Sequence, residues 1–119
     1  MLINKILDFF RYLLRNPNIS AFNVRNTTAY RKALKNHIEK NPFCAYCGRK
    51  NKLDVHHKIP VSFAPELAAD PTNLITLCRK PQCHLIVGHL GSWKTYNKEV
   101  EKVCNIVSIS NENDSTKSR

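Results

Sequence analysis

Residues 53–84 read LDVHHKIPVSFAPELAADPTNLITLCRKPQCH, and the fold turns on how this stretch divides. Leu53, Val55, His57 and Ile59 alternate with Asp54, His56 and Lys58, the period-two pattern of a short strand. Pro60, Pro65 and Pro71 bracket a loop running from Pro60 to Asp70. NLITLC, residues 73–78, then reads as a second short strand or turn. Pro81 suits the first turn of a helix through CHLIVGHL, which Gly88 and Gly91 weaken and close.

Two cysteine pairs flank this stretch. Cys44 and Cys47 form a C-x2-C pair in PFCAYCGRK, and Cys78 and Cys83 a C-x4-C pair in TLCRKPQCH. Close pairs in a chain without an export signal point to zinc before disulfides. A tetrahedral Zn²⁺ takes four thiolates at about 2.3 Å, and two knuckle loops present them well. Phe43 and Tyr46 add aromatic bulk at the first knuckle, and Gly48 permits the turn after Cys47. Four buried free thiols are the alternative. Cys104 stands outside the pattern as an ordinary apolar residue.

Outward from this centre the chain reads mostly as helix. Leu2, Ile3, Ile6, Leu7, Phe9, Phe10, Leu13 and Leu14 make a helical stripe ended by Asn16-Pro17. A polar connector follows from Asn18 to Asn26. A second helix starts near Thr27 or Thr28 and stops at Asn41-Pro42, with Arg31, Lys32, Lys35 and Lys40 as a basic face. Trp93, Tyr96 and Val100 suggest one more packed segment, and Trp93 is weighed as core against base-stacking platform. From about Ser108 the polar, serine-rich end is expected to be disordered. The division is 1–26 for the amphipathic helix and connector, 27–107 for the main domain and 108–119 for the tail.

With 119 residues the chain has room for one core. Its net charge is +10, and between Phe9 and Lys58 eleven Lys and Arg face only Glu39 and Asp54. Such a field draws polyanions, nucleic acid first among them, unless it serves only as a solvated surface. No apolar run approaches the roughly 20 residues of a membrane span. The expected location is cytoplasmic, without membrane association.

DVHHKIP, then NLITLC, then CH, set between the cysteine pairs, resembles the HNH (His-Asn-His) nuclease family over roughly Asn41 to Tyr96. The run CHLIVGHLGSWKTYN is similar to small bacterial and phage members. The resemblance implies an α+β fold: a small ββα-metal (His-Me finger) core with a zinc-ribbon-like four-cysteine site, flanked by N-terminal helices. It implies a metal-dependent DNA endonuclease leaving 5′-phosphate and 3′-hydroxyl ends. His57 matches the general base and Asn73 the residue that orients it. His56 and His84 match ligands of the catalytic ion, Mg²⁺ or Mn²⁺ in the family, although two imidazoles suit another transition metal better. Zinc on Cys44, Cys47, Cys78 and Cys83 is the structural ion.

Two positions depart from the family pattern. Many members have C-x2-C at the second knuckle, and many carry a third metal-binding histidine where Gly88 stands here. His89 is one residue further on. Five residues along a regular helix rotate about 140° off the starting face, so His84 and His89 converge only if Gly88 distorts the turn. His89 is therefore a ligand to test.

The expected substrate is duplex DNA, met by Arg31, Lys32, Lys35, Lys58, Arg79 and Lys80. A second copy of the chain, docked through the N-terminal helix, and phage packaging proteins are further partners weighed. Some residues have plainer readings: Asn73 as a turn residue, His84 as a zinc ligand, His37 as a surface group. The rival function is a zinc-ribbon DNA-binding module without catalysis, and a third is a nuclease working inside a phage packaging complex.

Overall fold

Two short antiparallel strands hold the centre of the molecule, β1 (Leu53–His57) and β2 (Leu74–Cys78). Their register sets Leu53 opposite Cys78, His56 opposite Ile75 and His57 opposite Leu74. The computed structural model describes residues 3–8 and 21–117. β2 is buried along its whole length, while β1 buries only His56 fully. Leu74, Ile75, Leu77 and Cys78 of β2 are apolar, and the hydroxyl of its one polar residue, Thr76, donates to the Asn41 carbonyl at 3.0 Å, so the strand can be buried without an unmet polar side chain.

Helices α1 (Ala21–Arg25) and α2 (Thr28–Lys40) precede the sheet. The Thr27 hydroxyl caps α2 by accepting the Tyr30 N–H at 3.2 Å. The helix ends where the Asn41 N–H donates to the His37 carbonyl at 2.8 Å, just before Pro42. Tyr30, Ala33, Leu34, His37 and Ile38 are half-buried, the spacing of one helical stripe, and α2 lies on both strands. Arg31, Lys32, Lys35 and Lys40 stay exposed on the other side.

The core is small and rich in sulfur. Cys44, Ile75, Leu77, Cys78, Cys83, Val87, Val100 and Cys104 form it, with Ala45, Tyr46, Leu53 and Val103 packed at its edge. Helix α3 (Val100–Lys117) contributes Val100 and Cys104. Cys104 is 2% exposed, and burial pushes its thiol up to about 11, which suits an inert apolar filler.

Several expectations need correcting. The connector from Asn18 to Asn26 contains α1, and the end of the chain, expected to be disordered from Ser108, is helical to Lys117. Val100, Val103 and Cys104 anchor that helix to the core, and polar residues extend it. Pro81 lies before the turn it was expected to begin. That turn, His84–Gly88, is a π-helix rather than an α-helix.

In the N-terminal stripe, residues 3–8 are helical, with Ile3, Ile6 and Leu7 exposed and Lys5 bonded to Asp70 and Thr72, each at 3.1 Å. The rest of the stripe, from Phe9 to Leu14, and its Asn16-Pro17 stop lie outside the described residues. Among the described residues no helix is long and apolar enough to cross a membrane.

Candidate active site and its two metal-ligating clusters

The four cysteines meet in one place. Cys44, Cys47, Cys78 and Cys83 bring their sulfurs within 4.8 Å of one another, and Cys47 Sγ lies 3.6 Å from Cys78 Sγ. Tetrahedral Zn–S bonds of about 2.3 Å separate neighbouring sulfurs by about 3.8 Å, so the donor set fits zinc. The wider C-x4-C loop still delivers Cys83 to the cluster. Gly48, at φ +78°, turns the chain behind Cys47, whose own N–H points at Cys44 Sγ at 3.4 Å. Cys44, Cys78 and Cys83 are buried and Cys47 exposed. His84 stands apart from this set.

A second cluster lies across the sheet. His56, His84 and His89 bring ring nitrogens within 4.8 Å of one another. His56 is 1% exposed, and neither of its ring nitrogens has a hydrogen-bond partner among the described residues. A buried polar ring without partners is costly, and an ion shared with His84 and His89 would offset that cost. Burial first, and then the neighbouring histidines, push its pKa down to about 3, so the imidazole is neutral and competent as a ligand.

The other two rings are held from outside. His84 Nδ1–H donates to the Asp54 carboxylate at 3.1 Å, and His89 Nδ1–H to the Thr95 carbonyl at 2.7 Å. Each bond fixes a tautomer and leaves the opposite nitrogen free for a metal. Burial lowers the His84 pKa more than Asp54 raises it, so their contact is a hydrogen bond to a neutral ring. Arg79 holds the other Asp54 oxygen at 3.2 Å.

The convergence of His84 and His89 corrects the expectation from regular helical spacing. In a π-turn the chain bonds i to i+5, so the fifth residue returns above the first. Gly88 makes room for this. A Cβ at Gly88 would stand 2.9 Å from His56 Nδ1 and 3.2 Å from Leu77 Cδ1, so a larger residue would displace the ring that completes the triad.

His57 lies beside the triad, with its ring stacked on Tyr30 at 5.7 Å. Its Nε2–H donates to the Ala68 carbonyl at 2.9 Å, which leaves Nδ1 with a free lone pair. Burial lowers its pKa more than that carbonyl raises it, so the ring is neutral at neutral pH, with its one proton on Nε2. Asn73, 5% exposed, ties the segment after His57 to the opposite loop. Its Oδ1 accepts the Ile59 N–H at 2.9 Å, and its Nδ2 donates to the carbonyls of Ile59 and Leu67 at 3.1 and 3.2 Å. The Lys58 N–H donates to the Asn73 carbonyl at 2.8 Å.

His56, His57, His84 and His89 open on a cavity of about 300 Å³, walled also by Arg25, Tyr30 and Trp93. Arg25 is the one permanent cation among the described residues lining it. Of the residues expected to meet phosphate, Arg31, Lys32, Lys35 and Lys80 are exposed. Lys58 is paired with Glu101 at 3.0 Å and Arg79 with Asp54.

Arg25, Tyr30 and Asp54 join the site without having been among the expected residues. Asp54 had a signal: it stands two residues before His56, on the same face of a strand. Arg25 and Tyr30 had none, because they reach the cavity from helices distant in sequence.

Residues 44–90 match the family model described as HNH endonuclease, and that span takes in both cysteine pairs, Asn73, His57 and the three clustered histidines. The resemblance stated from the motifs therefore holds over this segment, and Arg25, Tyr30 and Trp93 lie outside it. No curated protein and no solved structure matches the chain.

Proposed function

We propose that this chain, with its HNH domain at residues 44–90, is a metal-dependent DNA endonuclease that leaves 5′-phosphate and 3′-hydroxyl ends. The observation that carries the reading is His56: a fully buried, partnerless imidazole that meets two oriented histidines at the edge of an open cavity. A zinc-ribbon module that only binds DNA would leave that arrangement unexplained.

His56, His84 and His89 would hold the catalytic ion. Bound there, a divalent metal supplies positive charge where the leaving oxygen becomes an alkoxide. Three neutral imidazoles fit Mn²⁺, Co²⁺, Ni²⁺ or Zn²⁺ far better than Mg²⁺, which prefers oxygen ligands. His57 takes the proton of the attacking water at Nδ1, because Ala68 occupies its other nitrogen. Tyr30 and the Ala68 carbonyl fix the plane of that ring, and Asn73 fixes the chain that carries it. Arg25 faces the phosphate with a guanidinium suited to two non-bridging oxygens.

The test is nicking of supercoiled plasmid across a series of divalent ions. Nicking is expected with transition ions and weak or absent with Mg²⁺. His57→Ala should lower the rate roughly 100- to 10,000-fold with zinc content and melting unchanged. A folded His57→Ala protein that cuts at the normal rate would remove His57 as the base. Plasmid left intact by the parent protein with every ion would leave the zinc-ribbon reading in its place.

A further inference from the structure

Trp93 is the chain's one tryptophan, lies outside the matched segment and is 61% exposed at the wall of the cavity. Its loop is nevertheless tied down. The Ser92 N–H donates to the His89 carbonyl at 3.1 Å, the Thr95 N–H to Ser92 at 3.0 Å and the Asn97 N–H to Gly88 at 2.8 Å. The Thr95 hydroxyl donates to the carbonyls of His89 and Ser92. The indole itself rests on two rings of the triad, 5.1 Å from His84 in an edge-on contact and 4.9 Å from His89. It is thus a large aromatic surface held in place and left open to solvent.

Its position decides what it meets. A phosphodiester seated at the three histidines brings its flanking nucleotide to the indole, which touches two of them. In a duplex the faces of each base are covered by its neighbours, whereas an unpaired base offers a face to stack. Lys94, the next residue, is exposed and adds a cation for the backbone, the interleaving of aromatic and basic groups that single-stranded nucleic acid favours.

We propose that Trp93 is a stacking platform for an unpaired nucleobase beside the scissile phosphate, so that the preferred substrate is single-stranded DNA or an unpaired segment within a duplex. This rests on the nuclease reading and narrows the expectation of duplex DNA.

The experiment uses the full chain with one oligonucleotide sequence, presented single-stranded and fully paired, and compares the parent protein with Trp93→Phe and Trp93→Ala. Without added catalytic metal, the single strand should quench the tryptophan fluorescence of the parent protein more than the duplex does. With Mn²⁺, Trp93→Ala should lose roughly 5- to 150-fold in kcat/KM on the single strand, and Trp93→Phe should keep most of it. Cleavage of the duplex by Trp93→Ala should fall several-fold less than cleavage of the single strand, the shared part of the loss reflecting the indole's contact with His84 and His89. Equal losses on both substrates would overturn the proposal and leave Trp93 a support for the triad. Faster cutting of the duplex by the parent protein would also overturn it. A parent protein that cuts neither substrate would sink the nuclease reading alone, and the quenching would then decide the stacking: preference for the single strand upholds it, and none overturns it.

Discussion

The four-cysteine and three-histidine clusters share the sheet and the turn after Pro81, yet they differ in how open they would leave a bound ion. The cysteines supply four donors, most of them inside the core, and leave an ion no open position. The histidines supply three donors beside a cavity, which leaves a place for water or phosphate. Backbone turns shape the first cluster, and a carboxylate and a carbonyl orient the second. In metalloproteins generally, a closed set of donors serves stability and an open one serves chemistry.

If that contrast holds, breaking the closed site should unfold the domain. Cys44→Ser removes a thiolate that is 1% exposed within a core too small to stand alone. Zinc should fall well below one per chain in elemental analysis and the cooperative melting transition should vanish, since structural zinc contributes about 10 kcal/mol or more to such folds. An unchanged melting curve would place the stability elsewhere.

Breaking the open site should instead spare the fold. His89→Ala should keep the zinc and the melting temperature but raise the Mn²⁺ concentration needed for cleavage at least ~10-fold, because a third of the protein's donors is gone. Metal dependence identical to that of the parent protein would reduce the site to His56 and His84.

A smaller effect is expected one bond further out. Asp54→Asn keeps the shape but replaces the carboxylate that fixes the His84 tautomer. Loss of such a partner costs roughly 10- to 100-fold in metal affinity, measurable by Co²⁺ titration. Affinity unchanged in Asp54→Asn would mean that packing alone orients His84.

The two clusters were also unequally legible in the sequence. Cysteine pairs announce themselves by spacing, and a wider loop between Cys78 and Cys83 changes nothing because a loop can absorb two residues. The period-two alternation around His56 located β1, and the Thr27 or Thr28 start with the Asn41-Pro42 stop located α2 within a residue. His89 resisted because its role depends on a π-turn, and regular 3.6-residue spacing argues against it. Only the fit of Gly88 against His56 reveals why the turn is distorted there. Arg25, Tyr30 and Trp93 reach the cavity through tertiary packing, which local pattern does not encode.

The most direct measurement is metal content per chain before and after mild chelation, followed in parallel with plasmid nicking. Protein loaded with Co²⁺ or Mn²⁺ should hold two ions, one resistant zinc and one exchangeable ion that leaves together with the nicking activity. His56→Ala should hold the zinc alone and remain folded. A single ion per chain in the active parent protein, or nicking that survives removal of the exchangeable ion, would contradict a closed structural site beside an open catalytic one.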